Sequence, residues 1–510
     1  MAIKTHVISS ILAGQQSSDN YGLQGQFKNS IGIDPSMPES DTGAKASGLI
    51  RPTAMEKFSG AEVTGVPLWM VSNPKDTNTY VYANDGKVHT VSSSLTMGTA
   101  LNSGNALTAS SGNGMAYYDN KLLMATNTNI TAYKPLDGSP TLDQTYWTGT
   151  LGLTALTDTT YPTANGIELP NHVMHRHTDD KCYIADVAAN KGILSYVKTT
   201  KTTVEGDTDD GSTYNALDFD NDVYPTAIET YNTSLAVAVI NGVSETKNAS
   251  LSFWDTTSVS YSQITSVEFP DPLITALKNV NGTLYVFSGS SAKGCRVSAF
   301  AGGYSFQEVV YLPDVYPPFA GAVDHFLTRY VWGSNTTTPE ASASVYAMGS
   351  KEKDMGLGLH NILRGTGTGT NPMVTCLKYV KKVGGNIMQP IIGWSDGTAK
   401  GLDKVSTTYG DYNVWESEMI KTGREFGIQS LRFGVTPVIS ANTTFTIKFI
   451  DDLTTTTIAT INNTDWGGES NIEINPVGIF TNKGYFRFEW TGSALVSIEL
   501  PIEIELGVLE

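Results

Sequence analysis

Three histidines cluster in the sequence, His172, His175 and His177, with Asp179, Asp180 and Cys182 close behind. In an extended segment His175 and His177 share a face, and His-x-His on a strand can chelate zinc or iron. The same residues also read as polar loop-to-strand positions, some buried and hydrogen-bonded. No regular Cys/His framework accompanies them, so no metal is expected. A second cluster is acidic: Asp207, Asp209 and Asp210, then Asp218, Asp220 and Asp222. Calcium needs several oxygen ligands on a flexible loop. Asp207-Thr208-Asp209-Asp210-Gly211 has the look of a calcium-loop start. Its twelfth position is Asp218 rather than a bidentate Glu, which favours a solvated acidic loop.

Nucleophilic catalysis needs a nucleophile, a base and an orienting group. The chain has neither Gly-x-Ser-x-Gly nor a Walker loop. Gly365-Thr366-Gly367-Thr368-Gly369 is glycine-rich but lacks the Lys and helix start of a phosphate cradle, and reads as a plain loop. Trp394-Ser395-Asp396-Gly397 comes nearest to the aspartate boxes of sialidase-type propellers, without their spacing. Paired carboxylates for glycoside hydrolysis are not legible along the chain. The expectation is a protein with no catalytic residues, no cofactor and no metal. With 24 Tyr and 8 Trp, sugar binding through exposed aromatics stays open.

The elements that would carry these residues are strands. Charged residues make up only 16% of the 510, against about 25% in average proteins. Thr, Ser, Asn and Gly take their place, which disfavours long helices. The net charge of −17, from 33 Lys+Arg against 50 Asp+Glu, argues against a general nucleic-acid binder. Lys378, Lys381 and Lys382 form the nearest basic group and are too few. An acidic wall does suit a channel that DNA must slide past without sticking. Cys182, Cys295 and Cys376 are odd in number and lack CxxC spacing, so neither a disulfide framework nor a zinc finger is expected. The apolar run from Val7 to Ala13 is short for a signal peptide, and no stretch reaches the roughly 18 apolar residues of a membrane span.

One pattern recurs: an extended segment, a tight polar turn, then a short apolar strand. Asn281-Gly282 turns into Thr283-Leu284-Tyr285-Val286-Phe287, Asp119-Asn120 into Lys121-Leu122-Leu123-Met124, and Asn232-Thr233 into Ser234-Leu235-Ala236-Val237. Such turns between strand-like runs signal hairpins. Weaker copies begin near Tyr80, Cys182, Tyr330 and Ile387, the last interrupted by Pro390. Positions 80, 122, 182, 235, 284, 330 and 387 stand 42 to 60 residues apart, close to the roughly 40–50-residue repeat of four-stranded propeller blades. Seven copies predict a β-propeller of about seven blades over 50–410, six to eight being the range.

Beyond Asp411 the pattern changes. Thr443–Ile450, Tyr485–Trp490, Val496–Leu500 and Ile502–Leu506 alternate apolar and polar residues, as half-buried strands do. Turn signals between them predict a β-sandwich over 411–510. Residues 1–49 read as an extended N-terminal arm, either loose or laid across the propeller or a neighbouring subunit.

Two segments resemble a known family. The first is Phe27-Lys28-Asn29-Ser30-Ile31-Gly32-Ile33-Asp34-Pro35, followed by Ala46-Ser47-Gly48-Leu49-Ile50-Arg51-Pro52. The second is Trp415-Glu416-Ser417-Glu418-Met419-Ile420-Lys421-Thr422-Gly423, leading to Ile428-Gln429-Ser430-Leu431-Arg432-Phe433. They are similar to segments before the first blade and at the terminal sandwich of virion β-propeller proteins of tailed bacteriophages, the nozzle and tail-hub type of short-tailed phages. The resemblance implies a structural virion protein, made in the bacterial host cytoplasm and built into the tail. It implies a homo-oligomeric ring, usually a hexamer, around the DNA exit channel. A portal adaptor or tail fibre would be its partner, and DNA would pass only in transit. No plug loop or fibre-docking motif is evident. A receptor- or glycan-binding tail or spike protein is the alternative, and a propeller glycosidase the third.

Overall fold

The computed structural model describes residues 2–10, 14–15, 26–31, 33, 48–49, 53–59, 63–73, 77–101, 107, 114–126, 130–134, 141–147, 172–188, 191–198, 212–242, 247–258, 260–290, 293–300, 305–326, 328–336, 342–352, 355–367, 372–381, 388–409, 412–452, 454–475, 477–494 and 496–509. Seven four-stranded antiparallel sheets follow one another: 67–100, 114–147, 174–221, 223–268, 274–312, 323–364 and 373–409, the last completed by Thr53–Lys57. The first strands of successive sheets touch around a closed cycle, the seventh returning to the first. The chain is therefore all-β, with a seven-bladed propeller.

Each predicted repeat falls at the second strand of a blade, the seventh described from Met388 onward because Ile387 lies outside the described residues. Ser234–Asn241 shows why these were legible: six consecutive residues are buried, because a central strand is covered on both faces by adjacent blades. The hairpins leading into them use left-handed turn residues, Asp119 and Asn120, and Asn281 with Gly282, as type I′ turns require. Pro390 does not abolish its copy. It pairs with Tyr379 of the inner strand, one residue before pairing with Lys400–Tyr409 begins at Ile391. Its missing N–H therefore falls outside the ladder to that outer strand.

The ring closes through the N-terminal side of the chain. Thr53–Lys57 is the outermost strand of blade seven, with Met55 opposite Val405 and Lys57 opposite Asp403. Polar links join neighbouring blades. Tyr82 Oη donates to the Ala125 carbonyl (2.9 Å), and the Thr226 hydroxyl to the Ile274 carbonyl (2.6 Å). The Thr375 hydroxyl donates to the Pro67 carbonyl, from blade seven to blade one.

Residues after 412 supply seven strands of a further unit, a ten-stranded sheet folded over one core. Ile479–Trp490 serves both of its halves. Its first residues pair with Ile420–Thr436 and its last with Thr444–Ile450 and Asn413–Glu416. Phe433 in one half meets Phe445 (6.2 Å) and Phe488 (5.7 Å) in the other. The two halves of the expected sandwich are thus joined by one shared strand, Ile479–Trp490.

Three described segments of the N-terminal arm are strands of this same sheet, and two others, Gly14–Gln15 and Gln26–Phe27, pair with each other in parallel. Ala2–Ile8 pairs with Ser497–Val508, Asn29–Ile31 with Asn413–Glu416, and Gly48–Leu49 with Ile498 and Glu499. The arm also contacts the propeller. Ile33 N–H donates to the Asn361 carbonyl of blade six (3.1 Å). Fully buried Phe27 packs between His360 of blade six (5.3 Å) and Trp415 of the C-terminal sheet (6.2 Å). Truncating Phe27 empties the joint between the two units. Phe27→Ala is expected to lower stability by about 3–5 kcal/mol, read as a fall in the urea midpoint. A loss below about 1 kcal/mol would show that the joint does not hold the units together.

Candidate functional site

Where the seven inner strands meet they line an open cavity of about 320 Å³ on the propeller axis. Every blade contributes to its wall. Blades one and two present Trp69, Val71, Met115 and Tyr117; blades three to seven add His175, Glu229, Lys278, Asp324 and Lys378. The cavity therefore has an apolar, aromatic side and a side on which acidic and basic residues alternate from blade four to blade seven.

The charged side is a network between blades. The Thr230 hydroxyl lies between His175 Nε2 (2.8 Å) and His177 Nδ1 (3.0 Å). It can donate to one ring and accept from the other. Glu229 Oε1 accepts from Thr230 N–H (3.0 Å) and stands 3.6 Å from His175 Nε2. Lys278 Nζ is 3.9 Å from Glu229 Oε2. Asp324 is 4% exposed and doubly held, by Lys378 Nζ at 3.0 Å and by Tyr379 N–H at 2.9 Å.

Burial, with help from Lys278 and His177, holds His175 below the ordinary imidazole range against the pull of Glu229. Burial, then Lys278, lowers His325 in the same direction. At Asp324 burial pushes upward, but Lys378, Lys278 and the Tyr379 N–H outweigh it, and the carboxyl lies below its usual range. An ionised Asp324 cannot be the proton donor that glycoside hydrolysis requires. The carboxyls that are raised serve other ends. Burial raises Asp403, which accepts from Thr366 N–H (2.6 Å), the Thr366 hydroxyl (2.8 Å) and Trp394 Nε1 (2.8 Å). Burial raises Glu416 too, in the C-terminal sheet, where Arg487 contacts both Glu416 (3.7 Å) and Glu489 (2.6 Å).

The histidine cluster divides. His175 and His177 share a face and converge on Thr230. His172 is buried elsewhere, its Nδ1 3.2 Å from the Ala185 carbonyl and 3.4 Å from Asp186. Asp179 bonds Tyr183 Oη (2.7 Å) and Lys181 (3.0 Å). Cys182 is buried, and burial pushes its thiol up to about 12. Cys295 and Cys376 are buried thiols as well. Asp207, Asp209 and Asp210 lie outside the described residues. Asp218 pairs with Lys191 (2.9 Å) and Asp222 makes a left-handed turn. Among the described residues no three His, Cys, Asp or Glu side chains converge as a metal site. The part of the glycine-rich loop that is described, Gly365 to Gly367, wraps Asp403 and Trp394. Asp396 caps its own hairpin through Thr398 and Ala399 N–H.

The axial ring itself was missed in sequence, although a signal existed. Glu229, Lys278 and Asp324 each stand six residues before the repeat positions 235, 284 and 330.

No known protein family matches the sequence, and no curated protein does. Among solved structures the chain is similar to propeller domains, the following three among them. The WD40 domain of Neurospora crassa Pan2 is 9% identical over 70% of this chain and 95% of that one, with a TM-score of 0.43. The β-propeller domain of Myceliophteria thermophila Cps50 (Swd1) is 11% identical over 69% and 100%, with a TM-score of 0.40. The WD40 repeats of RRP9 are 12% identical over 70% and 98%, with a TM-score of 0.44. These likenesses concern the propeller alone.

Asp324 ties blade six to blade seven. Asp324→Asn is expected to cost about 3 kcal/mol at neutral pH, read by thermal denaturation. A lowered carboxyl contributes stability above its unfolded value of 3.8 and loses it as pH falls through the native value. The gap between wild type and variant should therefore close below about pH 4. A pH-independent gap would assign the loss to packing instead.

Proposed function

We propose that the protein is a structural component of a bacteriophage virion, a tail nozzle or hub protein that oligomerises into a ring around the DNA exit channel. The observation that carries this is where the two family-like segments lie. They are almost 400 residues apart in sequence, yet they pair. Asn29–Ile31 is hydrogen-bonded to Val414–Glu416, Lys28 N–H donates to the Glu416 carbonyl (3.0 Å), and Phe27 rests on Trp415. Two short resemblances that met nowhere would be chance; these two form one joint between propeller and terminal sheet.

The axial cavity has the size of a small-molecule pocket, whereas B-DNA has a major groove about 12 Å wide on its own. The conduit is therefore formed between copies and not through a propeller, and the net charge of −17 keeps DNA from adhering to it. Ring formation also needs a surface for neighbouring copies to cover. Ile3, Gly507, Gly427 and Phe480 stand in one row across four strands of the terminal sheet. Ile3 is 74% and Phe480 58% exposed, with the two glycines between them. Exposed apolar surface of this kind marks contact sites.

Electron microscopy of the purified protein at high concentration, alone and with a portal adaptor ring, tests the proposal. Closed rings with a central channel, sixfold by expectation, are the predicted outcome. An Ile3→Lys, Phe480→Lys double variant should stay folded by circular dichroism and remain a single propeller. Wild-type protein that forms no ring under either condition, or that binds specifically on a glycan array, would overturn the structural role.

A further inference from the structure

A free edge of the terminal sheet carries a second inference, independent of the virion role. Ala2–Ile8 pairs with Ser497–Val508 along seven consecutive positions, and no strand among the described residues pairs with its other side. The direction of its backbone groups follows from one bond. Leu509 N–H donates to the Glu425 carbonyl (3.0 Å), so the adjacent pair Phe426–Val508 is of the non-hydrogen-bonded kind. Val508 therefore turns its own N–H and C=O the other way, to Ala2. By alternation Lys4, His6 and Ile8 also bond to Ser497–Val508, whereas Ile3, Thr5 and Val7 point their N–H and C=O groups out of the sheet. Such edges are usually blunted by a bulge, a proline or a charge. Thr455–Asn462, an edge of the other half, is broken by a bulge at Ile458. Ala2–Ile8 has neither bulge nor proline. Its outer face shows Ile3 (74% exposed), Thr5 and Val7 (44%), and its one lysine, Lys4, lies on the other face with His6.

We propose that this edge pairs antiparallel with the same strand of a second copy, about a two-fold axis through Thr5. The side chains set the register. Centred on Thr5, Ile3 stands opposite Val7 of the second copy, and Val7 opposite its Ile3. Each exposed apolar side chain thus covers another, and the outward N–H and C=O groups of all three residues are paired. On the other face Lys4 stands opposite His6 of the second copy. In each chain His6 Nε2 is 2.9 Å from Glu418, so the lysine ammonium meets a carboxylate. Centred on Lys4 instead, the pairing sets two lysines face to face and leaves Val7 uncovered. Centred on His6, it leaves Ile3 uncovered. The contact is isologous and closes at two copies. It covers the Ile3 end of the exposed row and leaves Phe480 to the ring contact.

The test is disulfide cross-linking of the full chain, whose native cysteines Cys182, Cys295 and Cys376 are all buried. Under mild oxidation Thr5→Cys is expected to give a linked dimer, because at the two-fold axis its Cα lies about 5.5 Å from that of the second copy. Ile3→Cys and Val7→Cys each stand about 13 Å along the strand from their own counterparts. Neither should link alone, and the two combined in one chain should. Thr5→Pro removes the central outward N–H and keeps the bonds to Ser497–Val508. It should stay folded by circular dichroism and lose at least about tenfold in self-association by sedimentation. A Thr5→Cys protein that links no faster than Ile3→Cys, or that links to an adaptor protein instead of its own copy, overturns the proposal. So does a folded Thr5→Pro protein that associates as tightly as the wild type. Rings in electron micrographs without a Thr5→Cys link leave the virion role standing and overturn the two-fold contact. A link without rings upholds the contact alone.

Discussion

The hydrogen-bonded pairing of Thr53–Lys57 with Lys400–Tyr409 is the constraint on which the rest of the structure depends. A blade buries its two faces only against its neighbours, so an open row of seven leaves two apolar faces in water. Closing the row joins residues about 350 apart, as the bond from the Ser406 hydroxyl to Glu56 (2.8 Å) illustrates. The entropy of closing so long a loop grows only slowly with its length, whereas the apolar area covered at the last junction is that of a whole blade face. Closure is therefore favourable once the blades exist. It is also late, because non-local pairing follows local hairpins.

The same N-terminal segment governs the second unit. Before reaching blade seven it supplies Ala2–Ile8, Asn29–Ile31 and Gly48–Leu49 to the terminal sheet. Both units are thus completed by one stretch of chain, and neither is a bead on a string. Phe27 shows the consequence in a single side chain. It belongs to the arm, packs on Trp415 of the sheet and touches His360 of the propeller. The two segments that carried a family resemblance are the segments that make this joint.

What could be read in the sequence was local. The second strand of each blade was legible because burial on both faces demands a continuous apolar run and the turn before it demands Asn, Asp or Gly. Alternation in Thr444–Ile450, whose burial alternates residue by residue, identified half-buried strands. What could not be read was pairing at a distance. Nothing in Thr53–Lys57 says that it closes a ring, and nothing in Ile479–Trp490 says that its halves pair with different strands. The histidines were legible only in part for a related reason. Their spacing predicted correctly that His175 and His177 share a face. It could not say that Thr230, from the next blade, stands between them. The axial ring was hidden because its members differ in type, and only their position before each turn is alike.

That ring bears on why there are seven blades. Apolar contact between blades has no direction and tolerates a range of angles, so it does not by itself choose seven over six or eight. The links between adjacent inner strands around the axis are short and directional. His175 reaches Thr230 from blade three to four, and Asn279 Nδ2 reaches the Thr230 carbonyl from five to four (2.8 Å). Lys378 reaches Asp324 from seven to six, and Thr375 reaches Pro67 from seven to one. Each fixes the spacing of two inner strands, and together they fix the curvature. Buried ion pairs contribute little net stability because of desolvation, but breaking one is costly; their value here is geometric. At the junction of blades five and six the contact is of another kind, Tyr285 stacked on Tyr330 at 3.8 Å. With the aromatic pair setting the distance there, Lys278 is not needed as a strut, and its ammonium is left facing the cavity with only a distant carboxylate.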